Sequence, residues 1–156
     1  MTNQVRDDKK EISFRLIEIK KVRFYQNDYT EFGLTQTDIL KGNLNLGVNF
    51  ELKPKEETIT IFLVADFCKN NHKLFGIATS HTFKVKNFKD SIQFNEKGDS
   101  NLPDDLMKLW LSIVISDTRG MLVILNADHE YSKIVLPLIH LDTFMKSLKE
   151  KQKKAD

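Results

Sequence analysis

Cysteine is almost absent from this 156-residue chain: Cys68 stands alone, which excludes an intramolecular disulfide and fits a reducing compartment. Glycine is scarce too. The six that occur are scattered, so no glycine cluster precedes a helix to cradle phosphate. Neither sign of charge dominates. With 24 basic and 22 acidic residues the formal charge is +2, which gives no reason to expect nucleic acid as the main partner. Long apolar runs are missing. The longest stretch, around Leu109 to Leu125, is interrupted by Ser112, Ser116, Asp117 and Arg119, so no segment is expected to span a bilayer. The start, Met1 to Glu11, is polar, has no apolar signal region and reads as a flexible N-terminus. A cytoplasmic protein without membrane insertion is the expectation.

Motifs that carry chemistry are missing as well. His72, His81, His129 and His140 stand in no H-x-x-x-H spacing, and one cysteine makes no C-x-x-C pair. No metal and no cofactor is therefore expected. No G-x-S-x-G elbow occurs, and Cys68 lies in a strand pattern beside a turn, which reads as a core or edge thiol. Asp7-Asp8, Glu56-Glu57 and Asp104-Asp105 fall at the polar start, a turn and a helix start, where each has a structural explanation. The expectation is a binding protein and not an enzyme.

What the chain does contain is enough for one domain with its own core, at 40% apolar and 29% charged residues. Its aromatics are skewed to eleven Phe against three Tyr and one Trp. Either the Phe fill the core, or some line a surface for apolar partners.

Periodicity divides the chain. Ile12 to Phe24 reads as a first strand whose phase slips after Leu16, so that Ile17, Ile19 and Lys21 take over the apolar face, the signature of a β-bulge. Tyr25 to Lys41 is a long connection with more large apolar groups than a solvated loop needs. Leu44 to Leu52 alternates cleanly as a half-buried strand. Thr58 to Lys69 reads as a strand buried on both faces, a turn at Asn70-Asn71 follows, and Leu74 to Lys86 is the fourth strand. Three hairpin-type connections would make an antiparallel meander.

A long helix is expected from Leu102 to about Leu125, capped by Ser100 or Asn101, with Leu106, Leu109, Trp110, Ile113 and Val114 at helical spacing. Pro137 keeps Ile134 to His140 from being a central strand, and a last helix runs from Asp142, its N-cap, to about Lys154. Strands first and helices after give an α+β fold. One domain is expected over residues 12–148, with a basic tail over 149–156.

Ser116-Asp117-Thr118-Arg119-Gly120 is an unusual step for an apolar helix. Glycine there costs about 1 kcal/mol relative to Ala, so a close backbone approach is expected at Gly120. A partly buried Arg119 needs an acceptor, either a carboxylate, of its own or a neighbouring subunit, or a chain-end carbonyl.

With this step and the downstream Leu136-Pro137-Leu138-Ile139-His140-Leu141-Asp142-Thr143-Phe144-Met145, the chain resembles the SecB family of protein-export chaperones over Ile12 to Leu148. The order of elements agrees: four antiparallel strands with a long aromatic-bearing connection after the first, a long helix, an extended segment and a last helix. The resemblance implies a holdase that uses neither nucleotide nor metal. It implies a homotetramer, a dimer of dimers with the long helices between sheets, which binds unfolded client polypeptides along apolar grooves. Many weak apolar contacts summed along a groove give affinity without sequence specificity.

On this reading the candidate client-binding residues are Tyr25, Tyr29, Phe32 and Leu34 in the connection, with Phe75, Phe83, Phe88 and Phe94. Trp110, Arg119 and Gly120 are candidate structural or subunit-contact positions. Export members of the family are acidic and meet the SecA translocation motor through acidic surface, whereas this chain has a charge of +2 and a Lys-rich end. Other relatives protect the antitoxin of a toxin–antitoxin pair, and that role is the alternative. A carrier of a small apolar ligand, enclosed between sheet and helix, is the competing reading from another class.

Overall fold

The computed structural model describes residues 12–93 and 102–155. Phe94 and the expected caps Ser100 and Asn101 lie outside the described residues, as does 1–11. The strands are β1 (Phe14–Gln26), β2 (Asn43–Lys53), β3 (Thr58–Lys69) and β4 (His72–Val85). The helices are α1 (Gln36–Ile39), α2 (Phe88–Ser91), α3 (Asp104–Leu125) and α4 (Leu141–Ala155), with short 3-10 turns at Tyr29–Phe32 and Glu130–Lys133. The fold is α+β, as the order of strands and helices implies.

The four strands form one antiparallel sheet in the order β1-β4-β3-β2. Two of the three expected hairpin links are made, β2–β3 and β3–β4. The third link is the long connection, which carries the chain from the β1 edge to the opposite β2 edge. Its apolar side chains explain its length. Tyr29, Leu34 and Ile39 are buried, while Asp28 accepts from the Thr30 N–H and Thr35 forms a capping box with Asp38.

The phase slip in β1 is a bulge. The register shifts between Leu16 and Glu18, after which Ile19 faces His81 and Lys21 faces Thr79. A second shift, between Lys21 and Arg23, restores the original phase, so Phe24 faces Ile77. No change of apolar pattern around Val22 announces it.

α3 lies against β3 and β4. It buries Trp110, Leu111, Val114, Ile115, Thr118 and Leu122 on the face of the sheet that carries Ile61, Leu63, Ile77, His81 and Phe83. Thr79 and Thr118 join across this contact at 2.9 Å, and the Thr118 hydroxyl donates to the Val114 carbonyl at 2.7 Å. β3 is fully buried on this inner face only. Phe62, Val64 and Cys68 on the other face are half-buried, so the expectation of burial on both faces holds for one.

The backbone starts α3 after Pro103 without a side-chain cap. Asp142 lies within the first turn of α4 and is not its cap; the His140 ring nitrogen meets the Thr143 N–H and hydroxyl instead. Asp142 pairs with Lys108, and Lys149 reaches both Asp104 oxygens at 2.9 and 3.0 Å, which ties α4 to α3 at two points. The expected basic tail is thus the continuation of α4.

Candidate polypeptide-binding groove

Helix α3 is too narrow to cover a four-stranded sheet. It leaves the inner face of the β2 edge only partly covered, and Leu44, Leu46, Val48, Phe50 and Leu52 remain half-buried along it. At one end of this row a groove of about 730 Å³ opens between β2 and the chain leading into α4. Leu44, Leu46, Leu138, Ile139 and Phe144 give it apolar lining, and Asn45, His140, Thr143, Ser147 and Lys151 give it polar lining. Leu138 is 90% exposed, the extreme among the described large apolar residues.

The wall that carries Leu138 is set by Arg119. Its Nε donates to the Leu136 carbonyl at 2.8 Å and its Nη2 to the Pro137 carbonyl at 2.9 Å. Leu136 is buried at 1% exposure beneath the clasp. Arg119 thus finds acceptors, but they are two main-chain carbonyls inside an extended segment and not the expected carboxylate or chain-end carbonyl. Pro137 explains why this segment is extended but unpaired: it lacks the N–H a ladder needs.

Gly120 behaves differently from expectation. A Cβ there would meet nothing within 4 Å, so no described residue of this chain makes the close approach. Gly120 lies on the exposed face of α3 with Ser116, between Leu109 at 47% and Val123 at 51% exposure.

The aromatic candidates divide. Phe75, Phe83 and Phe88 have no exposed surface, and Tyr29 and Leu34 are buried at 5% and 9%, so these five are core and not groove. The reason is packing. Phe83 stacks on Trp110 with Phe14 edge-on to both, and Phe75 lies between Phe67 and Tyr131. Phe32 is half-buried and stacks on His72 at 4.5 Å. Neither Phe32 nor Tyr25 lines the groove.

Sequence reasoning missed the groove residues. Leu44 and Leu46 were visible as a half-buried strand, and Phe144 shares helical spacing with Leu148, but nothing in the sequence ties them to one another or to Leu138.

Tyr25 belongs to the opposite face, in a polar cluster that the sequence did not reveal. Its hydroxyl donates to Asp66 at 2.7 Å, and Lys73 and Arg23 approach the same carboxylate at 3.4 and 3.9 Å. Burial, and next the hydrogen bond to Asp66, push the Tyr25 phenol well above its ordinary range, so it remains a donor at working pH. Gly76, opposite Tyr25 in the ladder, makes room for the pair. A Cβ there would collide with Asp66 Oδ1 and sit 2.7 and 2.8 Å from Tyr25 atoms. Gly76→Ala is expected to cost about 1–2 kcal/mol through this crowding, read from urea unfolding. A loss under about 0.5 kcal/mol would mean that the cluster shifts freely.

Among the described residues no His/Cys/Asp/Glu group could hold a metal ion, and no described helix is long and apolar enough to cross a membrane. No protein-family profile matches the chain, and no curated protein matches it either. Among solved structures, it is similar to a Streptococcus agalactiae protein described as being of unknown function. The identity is 12% over 82% of this chain and 99% of that one, with a TM-score of 0.32. At that level the likeness carries no argument.

Proposed function

We propose that the chain is an ATP-independent holdase that binds non-native polypeptides in the groove between β2 and α4. The observation that carries this reading is the open groove itself, with Leu138 held in solvent and continued by the half-covered row from Leu44 to Leu52. A carrier of a small apolar ligand needs an enclosing pocket; this groove is open, and its mixed apolar and polar lining suits a polypeptide segment, which carries both kinds of group.

The exposed stripe of α3, with Gly120 and Ser116 between Leu109 and Val123, supports a homo-oligomer in which this face meets another copy. Small residues let helix backbones come close, which would give Gly120 the neighbour it lacks within one chain. The Lys-rich α4, carrying Lys146, Lys149, Lys151, Lys153 and Lys154, weighs against docking to the SecA motor through acidic surface, and an antitoxin client is the alternative to an export client.

Two measurements test the reading. Native mass spectrometry is expected to give dimers or tetramers without a bound small molecule. The protein is also expected to suppress aggregation of an unfolded model protein at near-stoichiometric ratio. Strict monomers with no effect on aggregation would sink the proposal.

Leu138→Ser sharpens the test. Burying a Leu against a client contributes about 1.5–3 kcal/mol, so this variant should bind an unfolded client roughly ten- to hundredfold more weakly. Its unfolding free energy should change by less than about 0.5 kcal/mol, because Leu138 is already exposed. Unchanged client affinity would move the binding surface elsewhere.

A further inference from the structure

His81 is the one histidine in the described core, at 0% exposure on the inner face of β4. Neither ring nitrogen has an aligned hydrogen-bond partner among the described residues. Nε2 lies 3.3 Å from Asp117 Oδ2 on α3, within ion-pairing distance but without hydrogen-bond geometry. Asp117 retains 35% of its side-chain exposure, so protons can reach the pair from solvent along the helix edge.

Few other charges face this site. β3 contributes Ile61 opposite His81, and β1 contributes Ile19 opposite it, with Lys21 further along the same face opposite Thr79. From α3 come Asp117 and the uncharged Thr118, while Arg119 is turned to the Leu136 and Pro137 carbonyls.

We propose that His81 and Asp117 form a proton-operated latch between the sheet and α3: the helix seats while the imidazole is uncharged, and acidification loosens it and uncovers the inner face of β4. An imidazolium at this depth would have one N–H facing apolar walls, and a single partly solvated carboxylate would compensate it incompletely.

The direction of the linkage agrees. Burial lowers the His81 pKa and outweighs the opposing pull of Asp117. A group whose pKa is depressed in the closed state contributes stability above its open-state value, about 6.5 for histidine. That contribution is lost as pH falls below this value toward the closed-state pKa. Other groups act in a separate window. Asp28, Asp38 and Asp142 are lowered by hydrogen bonds from Thr30, from Thr35 and from Lys108, so their contributions are lost only below the ordinary carboxylate value of 3.8. The latch is a property of the fold and stands apart from the holdase reading.

Trp110 is the chain's only tryptophan, and it lies fully buried on α3 against Phe83. Its emission in the full chain therefore reports the seating of α3. On titration from about pH 7.5 to pH 5, emission should shift to the red with a midpoint below about 6.5, and α3 amides should exchange several-fold faster. In His81→Leu the shift should vanish. His72, His129 and His140 remain in that variant, so a transition that survives there belongs to them and overturns the proposal. Asp117→Asn keeps His81 and covers the case in which His81→Leu does not fold. It removes the charge that lets the closed state tolerate an imidazolium, so its midpoint should move to higher pH. A wild-type chain with no shift, or an Asp117→Asn midpoint that stays or falls, overturns the latch.

Discussion

Phe83→Ala should lower the unfolding free energy by about 3–5 kcal/mol, the cost of emptying a fully buried aromatic site. Phe83 has no exposed surface and completes a cluster with Phe14 and Trp110 at centroid distances of 6.0 and 5.4 Å. The neighbours cannot collapse easily into the gap, because β1, β4 and α3 each hold one ring of the cluster. A loss of this size is a large part of the roughly 5–15 kcal/mol that holds an ordinary domain together. Urea unfolding followed by Trp110 fluorescence measures it directly. Client affinity per folded molecule should be unaltered, since Phe83 is remote from solvent. A mild loss of stability, under about 1 kcal/mol, together with a loss of client binding would reverse that assignment and make Phe83 a contact residue.

The contrast between Phe83 and Leu138 shows what a sequence of this kind exposes and what it hides. Phe75, His81 and Phe83 stand at even spacing, so period-two alternation places them on one face of β4, and the structure keeps them there. Alternation names a face but not what covers it. Whether that face is covered by α3 or left open depends on where the helix comes to rest, and no local pattern encodes this. The bulge at Ile17 was legible because an apolar face changed phase within three residues; the bulge near Val22 was silent because Lys21 and Arg23 are polar on either side of it. The need of Arg119 for an acceptor was legible from a cation placed in an apolar helix. Its partners were not, because backbone carbonyls have no residue identity. The Tyr25–Asp66–Gly76 cluster was invisible for a related reason: it joins three strands far apart in sequence, and each residue alone looks ordinary. Leu138 follows a proline in an extended segment, where no period applies.

Arg119→Met should detach the wall of the groove and cost about 2–4 kcal/mol, since two hydrogen bonds from a charged donor are lost, each worth up to about 3 kcal/mol when buried and less where water can replace it. Methionine preserves much of the aliphatic stem, so the loss isolates the guanidinium from the packing of its carbons. The two bonds differ in shielding. The one to the Leu136 carbonyl is partly buried, whereas the one to the Pro137 carbonyl is exposed and can be replaced by water. The structural effect should be local: residues 134–140 should exchange their amide hydrogens faster, while the sheet remains protected. Because this segment presents Leu138 and Ile139 to the groove, client affinity should fall at least as far as in Leu138→Ser. Arg119→Lys should restore little, because one ammonium group does not reproduce the planar fork that spans two successive carbonyls. If Arg119→Met leaves exchange in 134–140 and client affinity as they are in the wild type, the clasp does not shape the groove. The segment would then be held by burial of Leu136 and the packing of Ile134 and Ile139 against the core.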